Sequence, residues 1–246
     1  MRAYPFPFFL EFGSKKRSVL LLEITHAELM HISVEPSILY FGTPVVLLST
    51  LNEDGTTNVA PMSSAWWLGW NCMLGLGASS HSGVNLRRER ECVLNLPSVA
   101  EVEAVNRLAR LTGSNPVPPW KQSVGYRHEK NKCEIAGLTS SPSTEVRAPR
   151  IDQCPVQLEA VLERHQPFGQ GPDKEPGAIA YEVRVVRAHV DEAILVPNSE
   201  HRIDPDRWRP LIMSFCRFYG LGAEVFSSTL AEIPEQAYRP APHMSR

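Results

Sequence analysis

The 246 residues carry almost no excess charge: 25 Lys and Arg against 27 Asp and Glu leave a formal net charge of −2. That excludes a general electrostatic pull toward nucleic acid or an anionic membrane surface. No stretch is apolar over the roughly 18 residues that a membrane-spanning helix needs. Nor does Met1-Arg2 lead into an apolar run with a small-residue cleavage site. Cysteine is scarce and its spacing is uninformative. The five, at 72, 92, 133, 154 and 216, are odd in number and never spaced C-x-x-C. Both points argue against a secreted disulfide framework and a structural zinc site. The cysteines read as reduced thiols, and the expected location is the cytoplasm. The eight histidines show no metal-ligand spacing, and neither a G-x-S-x-G elbow nor a P-loop occurs. Gly75-Leu76-Gly77 opens like a dinucleotide fingerprint, but the third glycine would fall on Ser80, and no βαβ alternation surrounds it.

What is present suits a globular chain with a real core: 43% hydrophobic and 21% charged residues. Proline outnumbers glycine, 21 to 15, and clusters at Pro5/Pro7, Pro116/Pro118/Pro119 and Pro240/Pro242, which marks loops and tails. Residues 1–29, with Tyr4-Pro5-Phe6-Pro7-Phe8-Phe9 and Lys15-Lys16-Arg17, read as an N-terminal extension. Residues 30–222 read as one domain and 223–246 as a tail. Pro44–Leu51 is a run fit for a buried strand. Asn52-Glu53-Asp54-Gly55 then gives a hairpin signal, because Asp-Gly tolerates positive φ, and Thr56–Met62 returns. Further strands are expected at Cys72–Ala78, Cys92–Leu96, Val156–Leu162 and Ile179–Val190, with a Gly/Pro-rich turn over His165–Gly177. Ser82–Glu91 predicts a short helix. Ser98–Thr112 predicts a longer one, with a Ser98/Glu101 capping box and a stop at Gly113. Many strands and few helices favour a mainly β architecture, a barrel.

Two segments put small hydroxyl residues just beyond strand ends: Asn58 to Trp67, and Ala78-Ser79-Ser80-His81-Ser82-Gly83-Val84-Asn85-Leu86. Such loops can offer hydroxyls and free N–H groups to an anion. If Ser82 caps the short helix, the helix N-terminus adds partial positive charge, and Asn85 lies on the first turn. The plain alternative is that Ser82 only caps a helix and Ser63-Ser64 only turn the chain.

Four ordered blocks resemble the flavin reductase-like family. Thr43 to Thr50, Asp54-Gly55 and Asn58-Val59-Ala60-Pro61-Met62-Ser63 are similar to its opening hairpin. Ser82-Gly83-Val84-Asn85-Leu86 and Cys92 to Pro97 are similar to its T-x-x-N-I helix and following strand. Asn131-Lys132-Cys133-Glu134-Ile135-Ala136-Gly137-Leu138-Thr139 is similar to its D-K-F-x-x-A-G-L-T block, with Cys133 in place of the usual aromatic. His189 to Glu192, with Asp204-Pro205 and Pro210-Leu211, is similar to its C-terminal signature.

The resemblance implies an FMN-binding split barrel, with FMN rather than FAD as cofactor, held at a homodimer interface. It implies Met62, Ser63, Ser64 and Ala65 along the isoalloxazine edge, and Ser79, Ser80, Ser82 and Asn85 at the phosphate. Asn58 and Thr43 would lie in the flavin surroundings. Lys132, Tyr126 and His128 fall in a block that could approach the open flavin face. The implied activity is NAD(P)H-dependent flavin reduction, with electrons passed to free flavin, a partner oxygenase, oxygen or a small acceptor. The other reading is a non-catalytic FMN carrier or store. Trp66, Trp67 and Trp70 are the aromatic material expected at the dimer contact.

Overall fold

The computed structural model describes residues 31–170, 176–199 and 201–238. The expected extension over 1–29 lies outside them. The chain divides into two units, Met1–Ser37 and Ile38–Arg246; residues 31–37 of the first hold no helix or strand. All that follows concerns the second unit.

Its frame is one antiparallel seven-stranded sheet. The strands run β1 (Phe41–Pro44), β2 (Val46–Leu51), β3 (Thr57–Met62), β4 (Ala65–Leu68) and β5 (Asn71–Gly77), then helix α1 (His81–Glu89) and β6 (Glu91–Leu96). Helix α2 (Val102–Leu108), β7 (Leu111–Thr112), α3 (Pro119–Ser123), β8 (Arg127–His128) and α4 (Lys132–Ala136) follow. Then come β9 (Ser140–Ser141), β10 (Arg150–Ile151), the long strands β11 (Val156–Gln170) and β12 (Pro176–Val190), and finally β13 (Ile212–Ser214) and β14 (Arg217–Tyr219). The sheet order is β3-β2-β6-β11-β12-β5-β4, and β1-β13-β14 form a smaller sheet. Only Ser63 and Ser64 join the two end strands of the large sheet. The fold is the expected mainly β split barrel.

The opening hairpin forms for local reasons. Asn52 N–H donates to the Thr56 carbonyl at 2.8 Å, and Gly55 takes φ +78°, which glycine adopts without strain. β2 is a continuous apolar run because both its faces are covered. Val46 and Leu48 join Leu74, Leu76, Leu94, Leu162, Tyr181 and Val183 in one core. Leu47 joins Val59, Val105, Leu108, Leu111, Ile151 and Leu211 in the other.

Three expectations need correction. The Ser98 helix begins as drawn, with Glu101 accepting from Ser98 N–H at 2.8 Å, but its regular part ends at Leu108, and Leu111–Thr112 is a strand parallel to β8. The Leu111 side chain stays in the same core, so apolar spacing alone did not register the change of backbone. Second, His165–Gln170 and Pro176–Gly177 are strand, not turn. β11 pairs with β6 only over Val156–Val161; past the Arg90 contacts with Leu162 and Glu163 no strand among the described residues pairs with its outer edge, and an edge accepts Pro167 without losing a ladder bond. Third, Ala65–Leu68 is a strand paired to β5, a segment the sequence left without a strand assignment.

Gly83 lies on α1 where a Cβ would come within 2.6 Å of Tyr181 Oη. Tyr181 is fully buried and its hydroxyl is hydrogen-bonded to Arg87, so it cannot swing aside. Overpacking of this kind costs roughly 1–3 kcal/mol, against a gain of about 1 kcal/mol from replacing a helical glycine. We therefore expect Gly83→Ala to lower stability on balance in urea unfolding. Gly83→Ala with Tyr181→Phe, which removes the obstructing oxygen, should recover most of the loss.

Candidate functional site

β3, the start of α1 and the block after α2 border a cleft of about 140 Å³ that opens to solvent, lined by Leu48, Ala60, Pro61, Met62, Leu76, Ser80, Ser82, Ala109, Leu111, Lys121 and Tyr126. Its polar lining comes from two places, Ser80 and Ser82 at the start of α1 and Lys121 and Tyr126 in the segment after α2; the rest of the lining is apolar.

The N-cap of α1 is Ser80, not Ser82: Ser80 is extended and its Oγ accepts from Gly83 N–H at 3.4 Å. Ser82 sits inside the first turn, 3% exposed, and its Oγ accepts from Asn58 Nδ2 at 3.0 Å. Asn58, on β3, also donates to Thr50 Oγ1 at 3.1 Å, while its Oδ1 accepts from Lys132 Nζ at 2.8 Å. Asn85 points away from the cleft. Its Nδ2 donates to Thr50 Oγ1 at 3.2 Å and Asn52 Oδ1 at 3.0 Å, and its Oδ1 accepts from Arg88 at 3.1 Å. Its geometry is that of a fastener between α1 and β2.

Of the residues singled out from sequence, the structure brings Met62, Ser80 and Ser82 together on the cleft wall. Asn58 stands directly behind Ser82. Ser63, Ser64 and Ala65 form the bridge to β4, where the Ser64 carbonyl accepts from Gly75 N–H at 2.8 Å. Ser79 is exposed. Thr43 lies on β1, away from the cleft lining, with a buried Oγ1 that has no hydrogen-bond partner among the described residues.

The dominant electrostatic feature is a pair of lysines, Lys132 and Lys121, without ion-pair partners among the described residues. Lys132 is 3% exposed, and no carboxylate lies within ion-pair distance among the described residues. Burial, aided by repulsion from Lys121, brings its ammonium down to about 8 from 10.5. Burial also lowers Lys121. His81 is held below its ordinary value by burial first, then by Lys132, Arg88, His128 and Lys121. His81 Nε2 lies 2.8 Å from Asn52 Oδ1, and the neutral ring donates there. Sequence reasoning missed His81 and Lys121. Nothing local marks Lys121, but Gly113 carries a trace of His81: a Cβ at 113 would stand 2.2 Å from His81 Cδ2. Gly113 is there for this approach, not to stop a helix.

The site thus sets a hydroxyl-lined helix start beside one buried lysine without an ion-pair partner, within a split barrel. The chain belongs to the flavin reductase like domain family, whose model matches residues 38–220. It is 41% identical over 192 residues to the uncharacterized protein YdfE of Bacillus subtilis (strain 168), covering 78% of this chain and 90% of that one. Its fold resembles nitrilotriacetate monooxygenase component B from Bacillus cereus, with a TM-score of 0.64 and 21% identity over 80% of this chain and 99% of that one. It also resembles flavoredoxin of Desulfovibrio vulgaris (Miyazaki F), with a TM-score of 0.64 and 19% identity over 83% and 100%. At these identities the likeness to the solved structures is one of fold.

The Lys132 ammonium makes stability depend on pH. Between about 8, its folded value, and 10.5, its unfolded value, the unfolded chain binds more protons. Stability therefore rises with pH across this window, and below it the full penalty of burying the charge is present. We expect urea midpoints between pH 8 and 10 to show this rising contribution, and Lys132→Met to lack it.

Proposed function

We propose that this protein is an FMN-dependent oxidoreductase that accepts hydride from NAD(P)H, with FMN seated in the cleft between β3 and α1. The observation that supports it most is the Lys132 ammonium, buried behind the Ser82–Asn58 pair of the cleft wall, with no carboxylate within ion-pair distance among the described residues. Burying a lone ammonium is costly, and a nearby phosphate dianion would compensate it. The residues present fit the group. The ring would lie against Leu48, Ala60, Pro61, Met62 and Leu76. The phosphate would take Ser80 Oγ, the free N–H groups of the first α1 turn and Lys132 Nζ. Ser82 orients Asn58, and Asn58 aims Lys132.

When bound, FMN supplies hydride acceptance and onward electron transfer. Lys132 holds its proton at Nζ and so its charge, neutral His81 donates from Nε2 to Asn52, and the apolar wall excludes water from one side of the ring. No side chain of the cleft needs to act as acid or base. The acceptor is a small molecule or a partner oxygenase, a reading that the name of the Bacillus cereus fold neighbour favours. The carrier reading makes a different statement about the same cleft, and reduction by a nicotinamide separates the two.

The test is direct. Purified protein should be yellow, release FMN on denaturation, and lose its flavin absorbance within seconds of mixing with NADH or NADPH. Bleaching absent over minutes favours the carrier, and colourless protein that ignores FMN removes the reading. Lys132→Met should weaken FMN by one to two orders of magnitude, since a hydrogen bond to a charged group is worth about 1.5–3 kcal/mol. Riboflavin, lacking the phosphate, should bind both proteins alike. In wild type the preference for FMN over riboflavin should narrow as pH rises through about 8 and the ammonium discharges. Equal loss of both ligands in the variant would take Lys132 out of the phosphate site.

We also propose a homodimer. β4 is an end strand of the large sheet, and Trp66, Leu68 and Trp70, at 57, 76 and 43% exposure, form an apolar strip beside the Ser63-Ser64 bridge, of the kind that marks association. Sedimentation equilibrium at micromolar concentration should give twice the chain mass. A pure monomer with FMN bound would refute this.

A further inference from the structure

The segment from Gly113 to Asn131 has no buried residue, yet it carries two of the residues that line the cleft, Lys121 and Tyr126. Between them it places a cluster that neither packing nor ion pairing explains. Trp120 is 58% exposed. Its ring lies 6.5 Å from that of Tyr126, tilted by 55°. Lys121 Nζ sits 5.5 Å from the Trp120 ring centre and 5.6 Å from that of Tyr126, so the two rings steer the ammonium. Among the described residues Lys121 has no carboxylate within ion-pair distance, and its Nζ makes no hydrogen bond. The outer lip of the cleft therefore presents an indole to solvent beside an unpaired cation that also faces the cavity.

An exposed indole calls for a flat partner, because a second ring recovers the contact that water does not provide. The ammonium calls for an anion. Both needs are met by a heteroaromatic ring tied to a phosphate through a short linker, which is the chemistry of a nucleotide. Lys132, behind the Ser82–Asn58 pair, already answers the flavin phosphate in the reading above, so Lys121 on the cleft lining is a second cation for a second negative group.

We propose that Trp120 and Lys121 form a binding site for an adenosine 5′-phosphate group, with the base stacked on Trp120 and the phosphate at Lys121. The proposal rests on the reading that the cleft holds a flavin, because this site adjoins its phosphate end. The group can come from the adenylate half of the hydride donor or from that of FAD. These share one chemistry and are told apart by experiment.

Full-length protein saturated with FMN is titrated with AMP by calorimetry. Wild type binds AMP, while Trp120→Ala and Lys121→Met each bind it about tenfold more weakly. Trp120→Phe keeps most of the affinity, which a merely damaged fold would not. Adenosine without phosphate is sensitive to Trp120→Ala and insensitive to Lys121→Met. If Trp120→Ala raises KM for NADH but not for reduced nicotinamide mononucleotide, the group belongs to the donor. If it weakens FAD but not FMN, the group belongs to the flavin. Wild type that fails to bind AMP, or AMP bound equally by wild type and both variants, overturns the proposal. Protein that retains no flavin overturns the functional reading instead, and the same titration on flavin-free wild type and variants then decides this site.

Discussion

The side-chain amide of Asn58 is the joint on which the candidate site depends. It donates to Thr50 on β2 and Ser82 on α1 and accepts from Lys132 on α4, so one planar group connects a strand pair and two helices far apart in sequence. A buried amide in this position has little freedom. Its two hydrogens and one oxygen are all used, and reversing it would face a donor toward the Lys132 ammonium. The arrangement therefore fixes the site's cation. Asn85 does similar work one turn along, holding α1 to Thr50 and Asn52.

The sheet changes direction at the other end of β3. The large sheet begins with β3 and ends with β4, and only two serines connect them. The bridge is held from the β5 side by Gly75, where a Cβ would crowd Ser64 at 3.1 Å. The chain thus leaves the first strand pair, crosses at Ser63-Ser64, and returns along β5 to the start of α1. The end of β3 at Met62 and the start of α1 at Ser80 and Ser82 meet on one cleft because of this path. The long β11–β12 hairpin carries the opposite side of the same sheet, with register irregularities at Glu159/Ala160 and Leu162/Arg164, which bend a ribbon that would otherwise run straight.

Burial shapes the chemistry elsewhere too. Glu159 is fully buried and accepts from the backbone of Thr144, Glu145 and Val146 as well as from His189. These bonds outweigh the cost of its burial and hold its carboxyl below the usual value. Lys132 shows the opposite balance, one acceptor and no acid. The same chain therefore satisfies one buried charge completely, and leaves another, behind the Ser82–Asn58 pair of the cleft wall, with a single hydrogen-bond acceptor.

Short-range features were legible in the sequence because they are settled over a few residues. The β2 run with its Asp-Gly turn, the Ser98/Glu101 box and the hydroxyl-rich start of α1 all appear where their residue types place them, and the ordered blocks identify the family and the split barrel. What depended on distant partners was not legible. Pro167 lies in a strand because β11 has run past the end of β6. Leu111 leaves the helix yet keeps its place in the core. Gly113 makes room for a histidine 32 positions away. Ser82 and Asn85, three residues apart on one helix, look alike as phosphate ligands until the fold turns one to the cleft wall and the other to β2. The sequence by itself determined which residues could meet an anion. Only the tertiary structure decided which of them face the cleft, because a side chain's hydrogen bonds are chosen by the strands and helices packed against it rather than by its neighbours along the chain.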